Sequence, residues 1–96
     1  MIKVKMIKKN NKTTITASGH AEYSSYGSDI VCASFSTLLT HTINNCTNVS
    51  VSDNDGVLTA IFLDDESIEN KTLLKAFENT VGQLVSQYGD YIAITF

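Results

Sequence analysis

The sequence predicts an α+β domain: a mostly antiparallel sheet with two helices packed on one face, in the order β-β-α-β-β-α-β. Three observations carry this expectation. Apolar residues recur every second position in short segments and every three to four positions in two longer ones, the signatures of strands and amphipathic helices. Turn residues, Asn10-Asn11-Lys12 and Asp55-Gly56, separate strand-like runs at hairpin spacing. The 96 residues are 43% hydrophobic and 18% charged, enough to build one core in a single domain over 1–96 and outside the range of disordered chains.

Each element follows from local pattern. Ile2, Val4 and Met6 alternate with Lys3 and Lys5, which reads as a half-buried strand over 2–9, and Thr13–Ser18 is a second β-rich run. Gly19 to Ser28 is a loop, because Ser24, Ser25, Gly27 and Ser28 favour no regular structure. A helix then begins with Ser28 or Asp29 as N-cap. Its core face is Val31, Phe35, Leu38, Leu39, Thr42 and Cys46. Thr47–Asp53 and Val57–Leu63 flank the Asp55-Gly56 turn as a second hairpin. After Asp64-Asp65-Glu66 a second helix buries Leu73, Leu74, Phe77, Val81, Leu84, Val85 and Tyr88, with Gly89 as its C-cap. A last strand sets Ile92, Ile94 and Phe96 on one side. The Val57–Leu63 strand is apolar on both faces, so a second copy covering the sheet is expected.

Charge narrows the function. The net charge is −3, a poor match for a general nucleic-acid binder, and no direct nucleic-acid contact is expected. Five of the seven lysines nonetheless fall in the first twelve residues. An edge strand protected against edge-to-edge pairing accounts for them more simply than an RNA patch. No stretch approaches the roughly 20 apolar residues of a membrane span, and Met1–Lys5 alternates unlike a signal peptide, so a cytoplasmic chain is expected. Asp53-Asn54-Asp55-Gly56 lacks the first ligand position of a calcium loop and reads as a hairpin turn.

Two cysteines on one helix, fourteen positions apart, lie about 21 Å from one another along its axis, too far for a disulfide. The same spacing gives Cys32, Cys46, His20 and His41 no close ligand pair, so no metal is expected. Cys32 itself sits where the loop turns into the helix. Free N–H groups and the helix dipole favour a thiolate there, and His20, twelve positions upstream at the end of a strand, is placed to carry its proton. Asp29 and Ser36 share the helical face of Cys32. Tyr23 and Tyr26, on the same loop, could close over a substrate side chain. Spacing alone leaves other accounts open: Cys32 as a small core residue, Asp29 as a plain cap, His20 as incidental.

The strings Gly19-His20-Ala21-Glu22-Tyr23 and Gly27-Ser28-Asp29-Ile30-Val31-Cys32-Ala33, with Ser36 beyond, resemble the Prp family of bacterial ribosomal-processing cysteine proteases. The resemblance extends over the whole chain and its element order. It implies that Cys32 is the nucleophile and His20 the general base and acid, with Asp29 and Ser36 in support and Gly19 and Gly27 as hinges of the loop. It further implies a homodimer that needs no cofactor and cleaves the N-terminal extension of large-subunit ribosomal protein twenty-seven after a phenylalanine. Glu22 and the pair Ser34-Phe35 depart from the small and aliphatic residues usual at those positions. Two other classes compete. One is a non-catalytic ribosome-assembly or interaction module whose basic hairpin touches RNA. The other is a thiol-redox sensor, for which Cys46 would be out of reach as the resolving thiol.

Overall fold

The computed structural model describes residues 1–19 and 26–96, with the backbone alone for 26–29. Its order is β1 (Ile2–Lys9), β2 (Lys12–Ser18), α1 (Tyr26–Asn45), β3 (Val49–Asn54), β4 (Val57–Phe62), α2 (Ile68–Tyr88) and β5 (Ile92–Thr95). The strands form one sheet in the order β3-β4-β2-β1-β5. All neighbours are antiparallel except β1 and β5, which run parallel. The expected α+β architecture, mostly antiparallel with two helices, is the one observed.

Both hairpins close as anticipated. Asn10 and Asn11 take φ of 55° and 62° between the paired residues Lys9 and Lys12, and Asp55 and Gly56 take 53° and 77° between Asn54 and Val57. Two successive left-handed residues make the type I′ turn whose twist matches that of the strands. Register then fixes the faces. Val4, Ala17 and Leu58 align in one row across the sheet, and Met6, Ile15 and Ala60 in the next. These rows lie under the helices, where Val31, Phe35 and Leu39 of α1 and Leu74, Phe77 and Val81 of α2 complete the core. Phe35 and Phe77 meet across the helix pair with ring centroids 6.3 Å apart and planes tilted by 58°, a favourable aromatic geometry. Of the two apolar faces of β4, the one that meets the helices is Leu58, Ala60 and Phe62. Val57 and Leu63 stand exposed on the opposite face.

Three expectations are corrected. β1 is an interior strand, because α2 returns the chain to lay β5 along its outer side, so Lys3 and Lys5 stand on the open sheet face and guard no edge. The edges are β3 and β5. Phe96 lies beyond the last β1–β5 pair, Lys5 with Thr95, and is 72% exposed rather than lined up with Ile92 in the core. Third, α1 begins at Tyr26, ahead of the expected caps Ser28 and Asp29. Three serines and Asp29 crowd residues 24–29, and a capping preference of about 1 kcal/mol shared by several of them cannot select one start. Gly89 does cap α2, but in the right-handed conformation (φ −60°).

A polar clamp, unannounced by the sequence pattern, ties the two halves of the chain. Asn70, fully buried on α2, accepts from the Thr47 N–H at 2.9 Å and donates to the carbonyls of Thr47 at 2.8 Å and Asp64 at 2.7 Å. Ser67 caps the same helix through the Asn70 N–H. Beside it, buried Thr13 donates to Asp65 at 2.8 Å, and the Asp65 N–H donates to the Asn11 carbonyl, stitching the first hairpin to the start of α2. Asn70→Ala leaves those Thr47 and Asp64 groups without partners. The expected loss is about 3 kcal/mol, which for a domain of this size lowers Tm by roughly 12–24 °C. Thermal unfolding followed by circular dichroism measures it, and a loss under about 1 kcal/mol would mean that solvent replaces the amide.

Candidate active site

The rotation of α1 about its axis is set by Val31, Phe35 and Leu39, which must point at the sheet. Cys32 and Ser36, each one residue further on, are therefore turned about 100° to one side, onto a common face of the helix. There they line a groove of about 370 Å³ between α1 and one end of the sheet. Thr40 and Ile43 continue the helical wall, while Ala17, Gly19, Leu58 and the second hairpin's Asp53 and Gly56 form the other. Cys32 is half-buried and Ser36 exposed.

Gly19, at the end of β2, is held at φ +91°, in the left-handed region that side chains disfavour. A Cβ there would strike the carbonyl oxygen of Met1, the residue just before the neighbouring strand β1. Gly19 thus lets the first two strands converge just before position 20. Glycine is required here by this close approach and by its positive φ.

The remaining sequence candidates divide. His20 and Tyr23 lie outside the described residues. Tyr26, Gly27 and Asp29 belong to the backbone of α1, with Gly27 as its second residue, inside the helix and not at a loop hinge. Because α1 starts at Tyr26, Cys32 is its seventh residue. The helix's free N–H groups belong to the first turn, one turn before the thiol, so helix position by itself no longer supplies the expected activation. The departure at Ser34-Phe35 is also resolved: Ser34 is exposed, and Phe35 fills the core against Phe77.

Both cysteines are free. Cys46 follows α1, its N–H still bonded to the Thr42 carbonyl, and packs against the core away from the groove. Burial pushes its thiol pKa up. His41 is exposed on α1 and lines no part of the groove. Sequence reasoning missed Asp53, Gly56, Leu58, Thr40 and Ile43. The helical positions follow from adding four and seven to Ser36. The hairpin wall depends on the pairing of β4 with β2, which no local signal encodes.

The sequence matches the family described as cysteine protease Prp over residues 1–93. The chain belongs to that family. No curated protein matches it. Among solved structures, the Prp of S. aureus, an essential ribosomal processing protease, is similar in its complex with a substrate peptide (22% identity, TM-score 0.82). It is similar also in its complex with a covalently linked product peptide (23% identity, TM-score 0.80). Either superposition covers 99% of this chain and 98% of the other. SMU.848 from Streptococcus mutans is similar at 23% identity and TM-score 0.76, over 99% and 92% of the two chains. These likenesses establish that the fold is shared, and the family match makes the chain a cysteine protease.

Two outcomes follow from the geometry. Gly19→Ala places a strained φ and a backbone clash together and is expected to destabilise the fold by at least about 2 kcal/mol, read as a lowered urea midpoint. In a Cys32→Ala background, the raised pKa leaves less of Cys46 as thiolate at neutral pH. Iodoacetamide is then expected to modify Cys46 more slowly in the folded protein than in urea, with the reactivity midpoint at higher pH when folded. Mass spectrometry of the time course measures both. Equal midpoints in the two states would show that burial does not act on this thiol.

Proposed function

We propose that the protein is the endopeptidase that trims the N-terminal extension of large-subunit ribosomal protein twenty-seven in its host, with Cys32 as nucleophile and His20 as general base and acid. The observation that carries this reading is the different placement of the two cysteines. A cysteine protease needs a thiol that substrate can reach; Cys32 lines the groove, whereas Cys46 lies away from it and packs against the core. The family's histidine motif, matched at His20, follows Gly19 in the sequence, and Gly19 lines that groove.

In this mechanism His20 takes the proton of the Cys32 thiol, and the sulfur attacks the scissile carbonyl carbon. The tetrahedral intermediate collapses with cleavage of the C–N bond as His20 protonates the leaving amine. A water, deprotonated by His20, then hydrolyses the thioester and returns the thiol. Ser36, one turn after Cys32 on the same wall, offers a hydroxyl to the substrate backbone. N–H groups of the first turn of α1 are the nearest free helical donors for the oxyanion, each worth about 3 kcal/mol when well aimed. The enzyme works in the cytoplasm, and it does so as a homodimer; Val57 and Leu63, exposed beside half-buried Ile61, support the second of these readings.

The test is direct. Incubated with the extended ribosomal protein, the wild type is expected to give one shortened product by mass. Cys32→Ala and His20→Ala, verified as folded, are expected to lower the rate by about 10³-fold or more. Cys46→Ala is expected to retain cleavage. An intact substrate with folded wild type, or full activity of Cys32→Ala, would falsify the assignment.

A further inference from the structure

The groove beside Cys32 carries one charged side chain among the described residues, Asp53. Its neighbours on the sheet side are apolar, Ala17 and Leu58, and the three stand in a single row. Ala17 pairs with Leu58 across β2 and β4, and Leu58 with Asp53 across β4 and β3. Adjacent strands are about 4.8 Å apart, so Asp53 stands about 10 Å from Ala17, the position three residues before His20. It is exposed and, among the described residues, forms no ion pair. Asp55, two residues on in the turn, adds to the negative potential at this end. An apolar trough ending in an unpaired carboxylate complements a peptide in which apolar residues are followed or preceded by a cation.

We propose that Asp53, which lines the same groove as Cys32, is a specificity-determining residue that receives a lysine or arginine of the substrate within a few residues of the scissile bond. The assignment rests on Cys32 being the nucleophile of this groove. The hairpin, rather than the catalytic helix, then reads the charge of the substrate. Asp53 does not touch the reacting atoms. It changes which peptides bind, and it does so through a solvent-exposed pair, so the effect is modest and sensitive to salt.

A lysine scan tests this. Peptides spanning the extended segment of the ribosomal protein have every Lys and Arg replaced by Gln, and a single Lys is then placed at each of the four positions on either side of the scissile bond. For the wild type, one position is expected to raise kcat/KM about fivefold over the all-Gln peptide, a ratio equivalent to about 1 kcal/mol. Asp53→Asn is expected to abolish that gain. Asp53→Lys is expected to invert it, so that Glu at the same position becomes the preferred residue, and 0.5 M salt is expected to flatten all three profiles. A lysine profile that is the same in wild type and Asp53→Asn overturns the assignment. The scan is repeated as peptide binding, by fluorescence anisotropy, in Cys32→Ala with and without Asp53→Asn. If the wild type cleaves none of the peptides, the protease reading fails, and the anisotropy profiles alone decide the role of Asp53. Equal thermal midpoints for the Asp53 variants and wild type would exclude misfolding as the cause of a difference.

Discussion

The burial of Val31, Phe35 and Leu39 under α1 is the constraint from which the rest of the site follows. A helix that must point these residues at a sheet has no rotational freedom left, because a turn by one residue would expose Phe35 and bury Ser36. The thiol therefore occupies the flank of the helix rather than its buried face or its crown. The Phe35–Phe77 contact anchors the same helix against α2, and α2 is tied in turn to the Thr47 and Asp64 backbone by Asn70. The position of Cys32 is thus secured by apolar packing at one end of the chain and by buried amide chemistry at the other.

Much of this was legible in the residues. Alternation located β1 and β2, asparagines and Asp55-Gly56 marked both type I′ turns, and the 3.6 period named the buried face of each helix. What local pattern cannot express is who neighbours whom. The parallel β1–β5 pair forms only because α2 brings the chain back, and it converts the apparent edge strand into an interior one. Asn70 was invisible for a related reason: a polar residue on a helix reads as surface until the loop carrying Thr47 is seen to lie over it. The helix start was misplaced because several adjacent residues are comparably good caps.

For the site, the motif pair around Gly19 and Cys32 was the informative signal, and it was stronger than the physical chemistry of either residue alone. The structure removes one support, since Cys32 lies in the second turn and not at the helix terminus. It adds another by separating the two cysteines, one on a cleft and one packed into the core with a raised pKa. The far wall of the groove was not foreseeable, because Asp53 reaches it only through two successive strand pairings.

That wall is built from the least constrained part of the sheet. β3 is paired on one side only, and five of its six residues are exposed. Charge and size along it can change with little penalty to the core, whereas α1 tolerates almost nothing at Val31, Phe35 or Leu39. The groove's outer wall and the core are thereby carried by different elements of the same small protein. On the role proposed for Asp53, a lineage whose substrate drifts in sequence can follow it by editing one hairpin, and a protein engineer seeking a new cleavage preference has the same short stretch to rewrite.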